Sequence, residues 1–421
     1  MRDQYDVIVV GAGPIGSSAA RHLADAGHAT LIVGPEEPAG FEDHQGVWAG
    51  HYDEGRLAHV LEVPLMTCLL TMRSIGRFEA LRERTGITFT TPTHSLAVMP
   101  RDTGADSRGG NWFDREALSQ NARDLGIEVD ELDEDDLCRE YPSLTLEPGH
   151  VALVQRDAFI LNPRALVRAE LAAATEAGAV LVRDEVAGVE KEDDGVRVTT
   201  RSGASWRAGR VVLATGASSN ATGLLPRPLL TPTFGATAVL VEVTDPDAVQ
   251  MPTMMYLKRR GEEVPFGGVV MAPRPYSDGK WYVKVAGGSL LNTPLDSHEE
   301  IAAFVRTGGR KEDIDEAYEV LRELLPGREF GAARTWPGIV CATPTERPYI
   351  DWADEGGEDG RRIVVAVEGE RGAMAADEIG RLAAELAVNG RWKDTVPHEV
   401  FKARWTEPGW TTSGWLASMM A

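Results

Sequence analysis

The segment VVGAGPIGSS places Gly11, Gly13 and Gly16 in a G-x-G-x-x-G spacing suited to holding a pyrophosphate. Gly11 permits a tight turn, Gly13 lets the backbone approach the phosphates, and Gly16 lets the following helix pack closely on the strand. With Pro14 and Ile15 they open a helix whose first N–H groups and positive dipole end face an anion. Two further places carry reactive residue types. Lys284 stands in KWYVKVAGG between Val283 and Val285, and lysine is rarely buried without purpose. The competing reading keeps its stem packed at a sheet rim and its ammonium in water. Cys341, in WPGIVCATPTERPYID, is one of three cysteines. It reads as a cofactor tether, a catalytic thiol or a small buried apolar residue; the last is preferred, because no histidine in the segment activates a thiolate.

The elements that must position these residues follow from periodicity. Residues 5–33 read as strand, glycine turn, helix and second strand, with Gly27 as the helix C-cap. The acidic residue that grips a ribose is expected at the end of the second strand, but Gly34 stands there, followed by Pro35, Glu36 and Glu37. Either Glu36 reaches back or backbone and water hold the ribose. Residues 177–217 alternate as a β-meander and close on RVVLATGA, with Ala214, Thr215 and Gly216 ending a buried strand. A strand ending in A-T-G after an N-terminal G-x-G-x-x-G shifts the expected dinucleotide from NAD to FAD, and Val186 of the meander is grouped with its binding residues. TAVLVEV (237–243), FGGVVMAP (266–273) and KWYVKVAGG (280–288) read as strands of a second sheet. HEEIAAFVRTG and DIDEAYEVLRELLPG read as amphipathic helices upon it, the second ending at Gly327. In KWYVKVAGG, alternation sets Trp281, Val283 and Val285 on one face and Tyr282 and Lys284 on the other.

The 421 residues allow two or three domain-sized units, and a net charge of -22 argues against nucleic acid. The acidic run DELDEDDLCRE (130–140) reads as a solvated helix or loop. Cysteines at 68, 138 and 341 show no C-x-x-C spacing, which suits a reducing compartment, and no metal-binding set is expected. No signal peptide and no apolar run of about 20 residues is seen, so a cytoplasmic protein without membrane contact is expected.

Over roughly residues 1–405 the chain resembles the D-amino-acid-oxidase-like family, which includes glycine oxidase, monomeric sarcosine oxidase and N-methyltryptophan oxidase. WPGIVCATPTERPYID aligns without a gap on W-x-G-x-R-P-x-T-x-D-x-x-P-x-I-G. VVAVEGERGAMAADEIGRLAAELA (364–387) resembles the segment wrapping the flavin pyrimidine, with Gly372 and Gly380 in register. DAFILNPRALVRAELAAATEAGAVL (157–181) resembles its Pro-containing helix entry, and HQGVWAGHYDEGR (44–56) the HHG-type loop. The resemblance implies a two-domain α/β flavoprotein. A discontinuous Rossmann-like FAD domain spans 1–80, 150–222 and 335–405. A mostly antiparallel substrate domain spans 81–149 and 223–334, and 406–421 form a C-terminal tail. It also implies that His44, Gln45, Gly46, Val47, Gly338, Glu370, Arg371, Gly372 and Met374 lie against FAD. Lys284 takes the position of the lysine that activates O2 in sarcosine oxidases, where a fixed cation stabilises charge building on O2.

The family's carboxylate anchors are missing. Its arginine position is Val340, its lysine position Met374, and the loop is three residues shorter with no arginine before Arg56. Either the substrate lacks a carboxylate, the preferred reading, or Arg371 binds one. Trp48, Tyr52, Tyr282, Val340, Arg371 and Met374 are candidate substrate contacts, and His51 is a candidate base for a substrate ammonium. The tether position of sarcosine oxidases falls on Gly338, three residues before Cys341, so FAD is expected to be non-covalent. The implied reaction is oxidation of an amine C–N bond by hydride transfer to flavin N5, giving an imine, with O2 reduced to hydrogen peroxide. Two alternatives stay open: a dehydrogenase with another electron acceptor, and a non-catalytic flavin-scaffold protein.

Overall fold

The computed structural model describes residues 4–104, 112–261, 263–354, 360–369 and 371–420. Two sheets organise them. The first runs Tyr349–Trp352, Ile363–Val367, Ser205–Leu213, Gln4–Val10, Thr30–Val33, Val180–Val182. Its central pairings are parallel. Strands covered on both faces must be apolar throughout, and TLIV and IVVAV are fully buried. The meander strands Val186–Glu192 and Gly195–Thr200 extend this sheet antiparallel from Ser205–Leu213.

The second sheet runs Ala333–Cys341, Thr233–Glu242, Trp281–Ala286, Glu263–Pro275, Thr253–Arg260, Thr90–Pro100, His150–Leu161, Arg56–Ala58, with Asp130–Leu132 beside His150–Leu161. Pairing is antiparallel except between Thr253–Arg260 and Thr90–Pro100. The expected boundaries at 150 and 335 therefore cut into strands of this sheet, and Arg56–Ala58 joins it as well. The two expected helices form at His298–Arg306 and Asp313–Leu324, and the acidic run yields the helix Glu134–Glu140. On Trp281–Ala286, Val283 and Val285 enter the core shared with Val241, Val320 and Leu321. Tyr282 and Lys284 occupy the other face, as alternation requires.

Helix Pro14–Asp25 packs against Gly372–Asn389 and Pro163–Glu176 behind the first sheet. A Cβ on Gly380 would stand 2.6 Å from the Ala19 nitrogen, so glycine sets how closely the first two approach. Around that crossing lies a charge network. Arg21 donates to Glu170 at 2.5 Å and Asp377 at 2.7 Å. Arg77 reaches Asp377 and Glu378 at 2.7 and 2.6 Å, and Arg73 reaches Glu378 at 2.9 Å. Buried charges persist when each has its counter-charge and hydrogen bonds; here they clamp the helix that begins at the cavity described next.

Candidate active site

The glycine turn is built by exclusion of side chains. Gly11 has φ +104, and a Cβ there would lie 2.3 Å from the Ala214 carbonyl oxygen. A Cβ on Gly16 would lie 1.8 Å from the Gly11 oxygen. Helix Pro14–Asp25 starts at Gly13 with no side-chain cap, leaving its first N–H groups facing a cavity of about 400 Å³. Helix Gly372–Asn389 also starts uncapped, at Arg371, with Gly372 and Ala373 in the wall of the same cavity. A Cβ on Gly369 in that wall would meet the Cys341 oxygen at 1.9 Å. Two uncapped helix N-termini at one cavity, lined by backbone that tolerates no side chain, fit an elongated anionic dinucleotide.

Gly11, Gly13, Pro14, Ile15, Glu36, Val47, Val186, Ala214, Thr215 and Gly216 line this cavity, as do Trp48, His51, Tyr52, Val340 and Gly372. Gly34 explains the missing ribose acid. Its Cβ would stand 2.6 Å from the Ala12 nitrogen, so no side chain fits between strand end and turn. Of the two glutamates that follow, Glu37 is paired with Arg164 at 2.5 Å, and both line the cavity. The remaining expected residues lie elsewhere. His44 packs its ring on Trp48 at 5.3 Å, the Gln45 carbonyl accepts from His298, and Gly46 lies beside the His44 ring. Gly338 sits mid-strand opposite Ala236, while Cys341 is in the cavity wall. Met374 is buried in a cluster with Phe78, Leu166 and Ala169. The Tyr282 hydroxyl donates to Asp278 at 2.9 Å. Glu370 lies outside the described residues.

Trp48 and Tyr52 meet edge to face at 5.2 Å and join Ile339 and Phe304 in an apolar cluster. The Trp48 indole donates to the Pro337 carbonyl at 3.1 Å, and that of Trp336 to the Tyr52 carbonyl at 2.6 Å. Those bonds fix an aromatic wall at the Val340 end of the cavity. His51 touches the glycine turn instead, with Nδ1 3.6 Å from the Cβ position of Gly13. Burial, reinforced by Arg164, Arg56 and Arg183, pushes its imidazole down to about 3. It stays neutral at ordinary pH and is a weak proton acceptor there, which tells against the base role.

Lys284 is 5% exposed, which removes the rim reading. Its Nζ donates to Asp53 Oδ2 at 2.5 Å and to the Gly55 carbonyl at 2.7 Å. Asp53, 3% exposed, also receives Arg56 and, at 3.4 Å, the Tyr276 hydroxyl. Burial, with Arg56 and Arg274 close by, pushes the Lys284 ammonium well below the lysine range; the carboxylate bonded to it, Asp53, favours the charged form by its own charge. Arg371 donates to Glu62 at 2.8 Å. Burial alone would raise Glu62, but Arg371 and His59 more than offset it and hold the carboxyl at about 2.

Asp53, Arg274 and Glu368 carry roles here that no local sequence pattern announces. Asp53 carried one signal, its place in the charged run DEGR three residues before Arg56. Glu368 lines the cavity, and burial, with Glu62 adding to it, lifts its carboxyl to about 7 against the Gly369 N–H and Arg371. Since the folded value lies above the unfolded one, this group's contribution to stability is full below the ordinary glutamate range and is lost as pH rises towards 7. Glu368→Gln should cancel that loss. Its thermal midpoint relative to the parent should rise between pH 5 and pH 8 by the equivalent of about 1–2 kcal/mol, less than the full shift because the residue as a whole is only half-buried. Parallel pH dependence of the two proteins would refute it.

A parallel sheet with a glycine turn, an A-T-G strand end and a second, antiparallel sheet closing the cavity defines a two-sheet dinucleotide-binding oxidoreductase. The chain belongs to the FAD dependent oxidoreductase family (DAO), whose model matches residues 6–386. FAD is its cofactor, and the residues lining the cavity fit it. Monomeric sarcosine oxidase of Streptomyces avermitilis is 31% identical over 222 residues, 52% of this chain and 53% of that protein, so the match spans about half of that relative. N-methyl-L-tryptophan oxidase of Salmonella enteritidis is 24% identical over 397 residues, covering 91% of this chain and 95% of the relative. Among solved structures, NikD, an unusual amino acid oxidase essential for nikkomycin biosynthesis, superposes with TM-score 0.77 at 21% identity over 96% of this chain and 99% of that one. L-proline dehydrogenase from P. horikoshii does so with TM-score 0.71 at 18% identity over 96% and 97%. Among the described residues, no helix is long and apolar enough to cross a membrane.

Proposed function

We propose that this chain is an FAD-dependent amine oxidase acting on the C–N bond of an amine that lacks an amino-acid carboxylate, with O2 as electron acceptor. One observation carries the reading: the family's arginine position is Val340, in the cavity wall next to Ile339 and on the same cavity as the Trp48–Tyr52 pair. Met374, the lysine position, is buried among apolar side chains, and Arg371 is committed to Glu62. Of the arginines lining the cavity, Arg56 and Arg164 are paired with Asp53, Glu37 and Glu54, and Arg183 donates to the Pro35 carbonyl. An anion brought to the Val340 wall would lose its water and find these cations already engaged, whereas a neutral apolar amine would lose little. When bound, FAD supplies the hydride acceptor and passes the electrons on. The chain's part is to orient the amine against Trp48 and Tyr52, to exclude water and, as the family position of Lys284 implies, to supply a fixed cation for O2 reduction from the Asp53–Lys284 pair, which adjoins the cavity-lining Arg56.

A peroxide-coupled screen across amines with and without carboxylates tests this. Turnover confined to amines without a carboxylate supports it, and preference for amino acids overturns it. A substrate that reduces the flavin without consuming O2 would establish a dehydrogenase instead. FAD is proposed to be non-covalent: the Cys341 thiol donates to the Glu368 carbonyl at 3.8 Å, beside the lifted Glu368 carboxyl. Acid precipitation should leave all yellow colour in the supernatant, for the parent and for Cys341→Ser alike. A yellow pellet that turns white in Cys341→Ser would reverse the proposal.

A further inference from the structure

We infer that Asp53 is the positioning residue that keeps Lys284 protonated and aimed, so that the O2 half-reaction depends on a carboxylate from the 44–56 loop. The inference rests on the oxidase reading above. Among the described residues, Nζ of Lys284 has two hydrogen-bond partners, both from that loop: Asp53 Oδ2 at 2.5 Å and the Gly55 carbonyl at 2.7 Å. They hold it against a face of the second sheet formed with Leu240 and Tyr282.

Among the described residues, the charged and titratable groups around Lys284 come from the 44–56 loop, from strand Glu263–Pro275 with the turn after it, and from its own strand, which supplies Tyr282. The loop supplies Asp53, Glu54 and Arg56. Strand Glu263–Pro275 supplies Arg274, whose Nε and Nη1 are buried with no hydrogen-bond partner among the described residues, and Tyr276 follows it. Glu54 is turned away, accepting from Arg164 at 3.2 Å and from the Ser277 hydroxyl at 2.6 Å. Among the described residues, Asp53 is thus the one carboxylate bonded directly to Nζ, and two guanidiniums stand against the ammonium. A buried lysine in such company gives up its proton unless an anion holds it.

The charge matters because reducing O2 to H2O2 takes two electrons and two protons. FAD held by the cavity-lining residues would, when reduced, supply both electrons and one proton as a hydride equivalent. The HO2⁻ equivalent so formed takes the second proton from solvent. Negative charge on oxygen precedes that protonation, and the ammonium stabilises it. Asp53 also lines a second cavity of about 420 Å³, walled by Arg164, Arg334, Tyr276 and Trp336. That cavity borders Asp53 and not Lys284, so proton exchange at Nζ would pass by way of the carboxylate.

The test compares Asp53→Asn, Asp53→Glu, Lys284→Met and the Asp53→Asn/Lys284→Met pair in the full FAD-loaded protein. Asp53→Asn should reoxidise about tenfold or more slowly than the parent at pH 8 and approach the parent rate as pH falls to 6, since one unit of lost pKa is tenfold in charged fraction. Asp53→Glu should restore most of the rate at pH 8. Lys284→Met should be slow at every pH. The readout independent of turnover is the thermal midpoint. Asp53→Asn should lower it, and adding Lys284→Met should bring it part of the way back, because the apolar side chain removes the uncompensated ammonium. If Lys284→Met is slow but Asp53→Asn matches the parent at all pH values, the Asp53 role is wrong and the lysine role stands. If Lys284→Met reoxidises normally, the oxidase reading of Lys284 has failed. Midpoints that fall additively in the double variant would overturn the pairing itself.

Discussion

Lys284→Met is expected to leave anaerobic flavin reduction by an amine nearly unchanged and to slow reoxidation by O2 by about two to three orders of magnitude. Three observations set that size. The residue is 5% exposed, so water cannot take over the stabilisation of charge on oxygen. It stands on the face of Trp281–Ala286 opposite the valine core, so losing the ammonium does not unpack the sheet. Asp53 keeps Arg56 and the Tyr276 hydroxyl after the change, so the loop retains a cationic partner. Methionine conserves volume, which limits the cost to packing. Stopped-flow mixing of reduced protein with air-saturated buffer reads the rate directly. Normal reoxidation would remove Lys284 from the reaction, and equal slowing of both half-reactions would mark a structural lesion.

What the sequence disclosed depended on whether the information was local. The turn from Gly11 to Gly16, the buried strand before it and the alternation around Lys284 are all set within about ten residues, and the fold keeps each. Lys284 was legible as a lysine with a purpose; its partner was not, because Asp53 lies 231 residues away. The same limit moved the sheet boundaries. His150–Leu161 and Ala333–Cys341 look like any buried strand, and only long-range pairing with Thr90–Pro100 and Thr233–Glu242 assigns them to the second sheet. His51 read as a loop histidine of ordinary basicity, yet burial against the glycine turn with three arginines nearby drives it down. Charges drawn from distant segments decide such a value, and nothing within the loop announces them.

Gly34 is the position where the sequence pattern and the packing most directly disagree about what a substitution would do. By pattern, Gly34→Asp installs the missing ribose-binding carboxylate and should tighten FAD. By geometry it should weaken FAD binding by about 10- to 100-fold and yield protein largely depleted of flavin, the 1–3 kcal/mol cost of forcing atoms into a filled site. The added Cβ would stand 2.6 Å from the Ala12 nitrogen and 2.7 Å from the Ala12 Cβ. The strand end cannot retreat: the Gly34 N–H is bonded to the Val182 carbonyl at 3.1 Å, and the Gly11 N–H to the Val33 carbonyl at 2.8 Å. The turn cannot retreat either, since Gly11 and Gly16 already lie against Ala214 and Gly11. The strain therefore falls on the residues that must meet the pyrophosphate. Glu36→Gln, which changes a cavity-lining carboxylate without adding an atom to the turn, should cost only about tenfold. Titrating flavin-depleted protein with FAD separates the two accounts, because tighter binding by Gly34→Asp would mean that the turn yields and that an acid at the strand end does reach the ribose.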